Sequence, residues 1–537
     1  MADPGKAVAS PSFLWWQRGI VYQIYPLSFQ DLNGDGKGDL KGITHRLDYL
    51  AWLGVDAVWI SPIYPSPMKD FGYDISDYCD ISETFGTLAD FDELIAAIHH
   101  RGMKLILDFV PNHTSDQHPW FVESRSSRES ARRDWYIWRD PAPGGGPPTN
   151  WLAQFGGSAW EYDPHTGQYY YHAFLKEQPD LNWRNHDVRA AMYDVLRFWL
   201  DRGVDGFRMD VLWHLIKDEQ FRDNPPNPGF RPGDSEHRGL LELYSTDRPE
   251  VHEVIAEMRD LFERYEERLI IGEIYLPIER LVAYYGLDRP GVHLPFNFQL
   301  IQAPWNACEI ERMIVEYDQR VPEEEWPNWV LGNHDQHRIA TRCGEGQARV
   351  AAMLLLTLRG TPTLYYGDEI GMHDVPIPSE RVQDPYEKNQ PGLGLGRDPQ
   401  RTPMQWDGSA HAGFSTVETW LPAAEDFPKR NVQALAPDER SILSLYRSLI
   451  ALRRERRALS VGDYAKVSCA GNLMIYERRH ANERLLVALN FGHNPESVSL
   501  QGVKGEMLLS THLDRARGPV PSHCDLRPDE GVILALG

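Results

Sequence analysis

Cysteine is scarce in this chain: there are five among 537 residues, at positions 79, 308, 343, 469 and 524. They are scattered, odd in number and never spaced as CxxC, which excludes a disulfide-stapled scaffold and a zinc site. They read as reduced thiols of a cytoplasmic protein. Long apolar runs are also missing. The longest, AAMLLLTL at 351–358, is far too short to span a bilayer. The opening stretch MADPGKAVASPSFLWW has no basic region followed by an apolar one, so no signal peptide is expected. Positive charge is in deficit, with 55 Lys and Arg against 78 Asp and Glu, a formal net charge of −23. That field repels polyanions, and no basic arm offsets it, so nucleic acid is not expected as a partner. No internal repeats and no low-complexity tracts are present.

What is present is a globular composition, 42% hydrophobic, in a chain too long for a single core. Seventeen Trp and twenty-four Tyr could serve as platforms for sugar faces, although core packing is their commoner use. From residue 20 a rhythm appears. Apolar, β-rich runs alternate with helical stretches such as DFDELIAAIHHRG and RAAMYDVLRFWLDRG, apolar at three- and four-residue spacing and closed by Gly. The β-rich runs are IVYQIYPLSF, AVWISPIY, KLILDFVPNH, GFRMDV, LIIGEIY, LPFNFQL, WVLGNHD and TPTLYYGDEIG. Eight strands alternating with helices predict a parallel sheet closed into a (β/α)8, or TIM, barrel.

The rhythm is interrupted after the third strand by an insert containing PAPGGGPPTNW, FGGSAW and the strand-like GQYYYHAF. A Pro- and Gly-rich excursion, FRDNPPNPGFRPGDSEHRG, follows the fourth strand. After the helix SILSLYRSLIALRRERRAL the pattern changes to short alternating runs, LMIYERR, RLLVALNF and GVILALG, which predict an antiparallel β domain. The expected organisation is a barrel over 14–111 and 183–462, an inserted subdomain over 112–182 and a C-terminal β domain over 463–537.

A barrel of this kind keeps its active site at the C-terminal ends of the strands. Those ends are polar here. Strand three ends in Asp108, Asn112 and His113, strand four in Arg208 and Asp210, strand five in Glu273, and strand seven in Asn333, His334 and Asp335. In GFRMDV the apolar residues face one way and Arg208 and Asp210 the other, so the pair points into one cleft. An adjacent arginine is expected to keep the aspartate ionised.

On these motifs the sequence resembles the α-amylase family of glycoside hydrolases. DFVPNH, GFRMD, GEIY and NHD stand in the family's order on strands three, four, five and seven, and QPDLNW (178–183) lies in the insert. FGYDISDY (71–78) and RTPMQWD (401–407) are similar to the exo-acting α-glucosidase and oligo-1,6-glucosidase branch. The resemblance implies Asp210 as nucleophile, Glu273 as general acid/base and Asp335 as transition-state stabiliser. A retaining glycosidase needs its two working carboxyls about 5–5.5 Å apart. The resemblance further places Asp70, Tyr73, His113, Arg208, His334 and Arg401 around the non-reducing glucose, with Phe155 and Phe174 as apolar walls. Val211, following the nucleophile, tends in this branch to accompany activity on α-1,6 linkages.

One further stretch, DLNGDGKGD, carries oxygen donors at Asp31, Asn33, Asp35 and Asp39, with Lys37 among the candidate metal-holding positions. Oxygen-only ligands favour Ca2+ or Mg2+, but position twelve is Gly42 rather than glutamate, so it is not an EF-hand. The resemblance implies structural Ca2+ in this loop; its alternative is a polar turn. No organic cofactor is expected. The function implied is release of α-glucose from the ends of small saccharides, with transglucosylation or a sucrose- or trehalose-directed reaction as alternatives. A non-catalytic scaffold is disfavoured because all three carboxylates are present. The sequence leaves oligomeric state open, and no membrane association is expected.

Overall fold

Short runs of three to six residues form the strands, and nearly all of their residues are buried, because a parallel sheet is covered on both faces. The computed structural model describes residues 13–500 and 504–537. Residues 1–12, which form most of the stretch searched for a signal peptide, lie outside the described residues. The barrel strands are β1 (Val21–Ile24), β2 (Ala57–Ile60), β3 (Lys104–Phe109), β4 (Gly206–Met209), β5 (Leu269–Ile274), β6 (Leu294–Asn297), β7 (Asn328–Val330) and β8 (Thr361–Tyr365). They pair in parallel in the order β7-β8-β1-β2-β3-β4-β5-β6. All eight expected runs contribute one strand each.

The gap between β6 and β7 is bridged by a side chain rather than a backbone ladder. Asn328 Oδ1 accepts from the Asn297 N–H at 3.1 Å, and its Nδ2 donates to the Pro295 carbonyl. Pro295 itself has no N–H to offer a neighbour, so an amide side chain supplies what a ladder would. The helices between strands bury one stripe each. In His186–Asp201, Asn185 caps the start by accepting from the Asp187 N–H, and Val188, Met192, Val195, Leu196 and Trp199 face the barrel. Gly203, at φ +101°, then turns the chain towards β4 in a left-handed conformation that favours glycine.

The insert after β3 contains a three-stranded antiparallel sheet, with Gln168–Tyr171 between Trp138–Arg139 and Trp160–Asp163. Its own small core includes Ile137, Trp151, Trp160 and Tyr171. The chain returns to its point of departure, where the Leu181 N–H donates to the Asn112 carbonyl at 2.9 Å. The insert therefore hangs over the C-terminal ends of the strands. The C-terminal region forms a six-stranded antiparallel sheet and a separate two-stranded one. A buried arginine, Arg478, joins it to the barrel, where Arg453 of the last barrel helix binds the same segment. Arg453 donates to the carbonyls of Leu356 and Leu358 at 3.0 and 3.1 Å, and Arg478 donates to that of Thr357. No helix among the described residues is long and apolar enough to cross a membrane.

Candidate active site

Alternation along β4 directs Arg208 inward, where its guanidinium meets three carboxylates. Nη1 lies 2.8 Å from Asp108 and 2.7 Å from Asp210, and Nη2 lies 2.8 Å from Glu273. Asp210 and Glu273 are therefore neighbours, held by the two terminal nitrogens of one guanidinium. Just past the strand, Val211 adopts φ 38°, an unusual backbone for a β-branched residue. That turn aims its N–H at Glu273 Oε2, 2.9 Å away. Strain of this sort gathers where structure has a functional reason to hold it.

The expectation that Arg208 keeps Asp210 ionised needs correction. One guanidinium is divided among three carboxylates, and burial outweighs it, pushing Asp210 well above its usual range. Burial also raises Glu273. Two carboxyls this close cannot both ionise readily, so the pair holds one proton between them. Asp335 behaves oppositely. Burial works against its ionisation, but His334 and the neighbouring arginines together outweigh that and hold it well below the usual carboxylate range.

His334 is kept neutral by burial. Its Nδ1 lies 2.8 Å from the Gln23 amide nitrogen, which leaves the proton on Nε2, facing the Tyr73 hydroxyl at 2.7 Å. That hydroxyl donates in turn to Asp108 at 3.2 Å. The Tyr73 and His334 rings stack 5.5 Å apart, 5° from parallel. Gln178 bridges the next two groups, its amide nitrogen lying 3.1 Å from both Asp70 and His113. Burial lowers His113 to about 4, so it too is neutral near pH 7.

These groups surround a cavity of about 500 Å³, lined by Asp70, Tyr73, His113, Phe155, Phe174, Asp210, Val211, Glu273, His334 and Asp335 among others. Two residues expected around the glucose do not line it. Arg208 lies beneath the carboxylates. Arg401, fully buried, stands behind Asp335, donating to that carboxylate and to the His334 carbonyl at 2.8 Å each. Arg397 lines the cavity in place of these two, as does Arg238 from the excursion after β4. Arg397 donates to Asp70 and Asp384 at 2.7 Å each, reaches Asp335 at 3.4 Å, and lies over the Phe155 ring at 4.9 Å. The sequence reading missed it, although it stands four residues ahead of RTPMQWD in the same block. It also missed the outer wall, where Trp213, Tyr275, Leu241, Glu242 and Tyr386 come from three different segments.

In the loop at 31–39 every candidate side-chain oxygen group accepts a backbone hydrogen bond. Asp31 takes the N–H groups of Gly34 and Gly36, Asn33 that of Asp35, Asp35 that of Lys37, and Asp39 those of Leu32, Asn33 and Gly42. No three acidic, His or Cys side chains among the described residues converge as a ready metal cage. Yet Asp31 and Asp39 are both buried, and neither has a Lys, Arg or His partner among the described residues. Two buried carboxylates without a cation, in an oxygen-only loop, fit a hard cation such as Ca2+.

Comparison with known proteins agrees with this geometry. Residues 23–462 match the family described as alpha amylase, catalytic domain, and residues 463–532 match a domain family of unknown function, DUF3459. The chain is 40% identical over 565 residues to the oligo-1,6-glucosidase of Parageobacillus thermoglucosidasius, covering 97% of this chain and 99% of that protein. It is 42% identical over 510 residues to the alpha-glucosidase of Culex pipiens, covering 92% and 85%. Among solved structures, an alpha-glucosyl transfer enzyme superposes with a TM-score of 0.92 at 38% identity, covering 98% of this chain and 100% of that one. The trehalulose synthase of Pseudomonas mesoacidophila MX-45 does so at 0.90 and 36%, again covering 98% and 100%. An eight-stranded barrel with carboxylates gathered at its strand ends, matched over most of its length, belongs to the alpha-amylase family.

Proposed function

We propose that the protein is a retaining, exo-acting α-glucosidase that releases α-glucose from the non-reducing ends of small saccharides. The observation that carries this reading is that Asp210 and Glu273, both lining the cavity, are held by the two terminal nitrogens of one guanidinium, 2.7 and 2.8 Å away. An inverting enzyme separates its carboxyls by about 6.5–9.5 Å to admit water between sugar and base, whereas two carboxyls sharing one guanidinium suit the shorter separation of a retaining pair. With the shared proton on Glu273, Asp210 is the anion that attacks C1 while Glu273 protonates the departing oxygen. Water, activated by the same Glu273, then releases glucose. Asp335, held ionised by His334 and the arginines around it, offsets the positive charge that develops on the ring.

Asp70 and Arg397 together offer acceptors and a donor fork for neighbouring hydroxyls. The lining runs from deeply buried Asp70, His113 and His334 to Leu241, which is 37% exposed. A site buried at one end and open at the other suits a chain terminus, which supports exo action. Initial rates on maltose, isomaltose, sucrose, trehalose and p-nitrophenyl α-glucoside test the reading. Glucose should appear first as the α-anomer, and Val211 at the cavity wall favours activity on isomaltose. First appearance of β-glucose, or no turnover of any α-glucoside, would overturn it.

Transglucosylation is the second reading, favoured by the outer wall. Trp213, Leu241, Tyr275 and Tyr386 offer apolar surface on which a second sugar or an aromatic alcohol could rest and intercept the glucosyl-enzyme. Product analysis at high substrate separates the two readings, since transfer yields new glucosides at the expense of free glucose.

The loop at 31–39 takes structural Ca2+ on this reading, with Asp31, Asn33, Asp35, Asp39 and the Lys37 position as holders. Bound ion would supply the charge that the two buried carboxylates lack. Chelation should lower the melting temperature by several degrees and Ca2+ should restore it, since an ion at a hundredfold its Kd contributes about 3 kcal/mol to the folded state. A melting temperature unmoved by both treatments would leave the polar turn. The five unpaired thiols support a cytoplasmic location.

A further inference from the structure

Two of the scattered cysteines meet. Cys308 Sγ and Cys469 Sγ lie 2.8 Å apart, although 161 residues separate them in sequence. No other two cysteine sulfurs are in contact among the described residues. Cys308 is exposed, at the second position of the barrel helix Ala307–Arg320, whose cap Asn306 accepts its N–H at 3.1 Å. Cys469 lies on Asp463–Ala470, the first strand of the C-terminal sheet and one of its edges.

The two elements are held in register independently of the sulfurs. One turn along the helix, Glu311 is paired with Lys466 at 2.7 Å. The strand pairing shifts register between Lys466 and Ser468, immediately before Cys469, and a bulge of this kind re-aims the side chains beside it. The thiols are therefore placed by the surrounding packing, and bonding them needs a sulfur displacement of less than about 1 Å.

We propose that Cys308 and Cys469 are a redox modification site, forming a reversible disulfide that locks the C-terminal β domain to the barrel. The oxidant is a small disulfide such as oxidised glutathione. The exposed Cys308 thiolate attacks one of its sulfurs, expelling one glutathione thiolate and leaving a mixed disulfide. Cys469, losing its proton to water, then attacks the Cys308 sulfur and expels the second glutathione. Two protein thiols are oxidised and one glutathione disulfide is reduced to two thiols. Partial burial pushes the Cys469 thiol up to about 12, consistent with its acting second. The bond would enclose β7, β8 and the segment bearing Arg397 and Arg401. Neither sulfur lines the catalytic cavity, so the site is independent of the glucosidase reading.

The test is oxidation of the full-length protein by glutathione disulfide, followed by thiol titration, intact mass, non-reducing peptide mapping and thermal melting. The thiol count should fall from five to three, the mass should drop by two hydrogens, and one cross-linked peptide should join Cys308 to Cys469. The melting temperature should rise and should return on treatment with dithiothreitol. Cys308→Ser and Cys469→Ser should each melt like the reduced wild type and show no such rise; two separate variants guard against one failing to fold. Five thiols persisting after oxidation, glutathione capping both cysteines separately, or a cross-link between other cysteines would overturn the proposal.

Discussion

Replacing Asp210 with Asn is expected to cut kcat by on the order of 10⁴–10⁶-fold, the range found when a catalytic nucleophile or its partner is removed. The amide cannot attack C1, so no glucosyl-enzyme forms. The protein should nevertheless fold and bind saccharide. Arg208 keeps Asp108 and Glu273 as partners at 2.8 Å each, so the substitution strands no unpaired buried cation. Turnover of p-nitrophenyl α-glucoside, saccharide binding by calorimetry and the melting temperature measure the three parts separately. Near-normal hydrolysis by the variant would remove Asp210 from the role. Loss of activity together with loss of fold would point to structure instead.

Replacing Glu273 with Gln separates the two carboxyls. The amide still accepts from the Val211 N–H but can neither donate an acid proton nor take one from water. Maltose and isomaltose have poor leaving groups, so their turnover should fall by about 10²–10⁴-fold, the usual contribution of general acid–base catalysis. An aryl glucoside needs less protonation, so its first step should suffer less and glucosyl-Asp210 should accumulate. Azide needs no base; it should attack that intermediate and give β-glucosyl azide after one inversion. The wild type should also lose activity on maltose as pH rises and the pair gives up its shared proton. Because burial raises both carboxyls, that loss comes above the pH at which a free glutamate ionises. In the variant this alkaline limb should disappear. Recovery of α-glucosyl azide alone, or full activity on maltose, would contradict the assignment.

The alternation of β-rich runs with amphipathic helices already determined the barrel, because a strand buried on both faces and a helix buried on one leave different periodicities in sequence. The strand-end charged groups were legible for the same reason: Asp108, Arg208, Asp210 and Glu273 interrupt apolar runs at positions where a buried charge needs a purpose. The switch to short alternating runs after the last long helix likewise marked the antiparallel sheet. Tertiary structure alone decided how charge is shared among these groups. Arg208 stands beside Asp210 in sequence, but in space it is divided among three carboxylates, and burial opposes the ionisation that adjacency suggests, so that Asp210 shares one proton with Glu273. It also decided which of Arg397 and Arg401 lines the cavity. Arg397 and Arg401 lie four residues apart in one irregular segment, where no periodicity tells which side chain faces inward. The contact of Cys308 with Cys469 depends on a helix and a strand from different parts of the fold lying side by side. Local pattern records which way a residue faces within its own element, whereas the approach of two elements is set by packing across the whole chain.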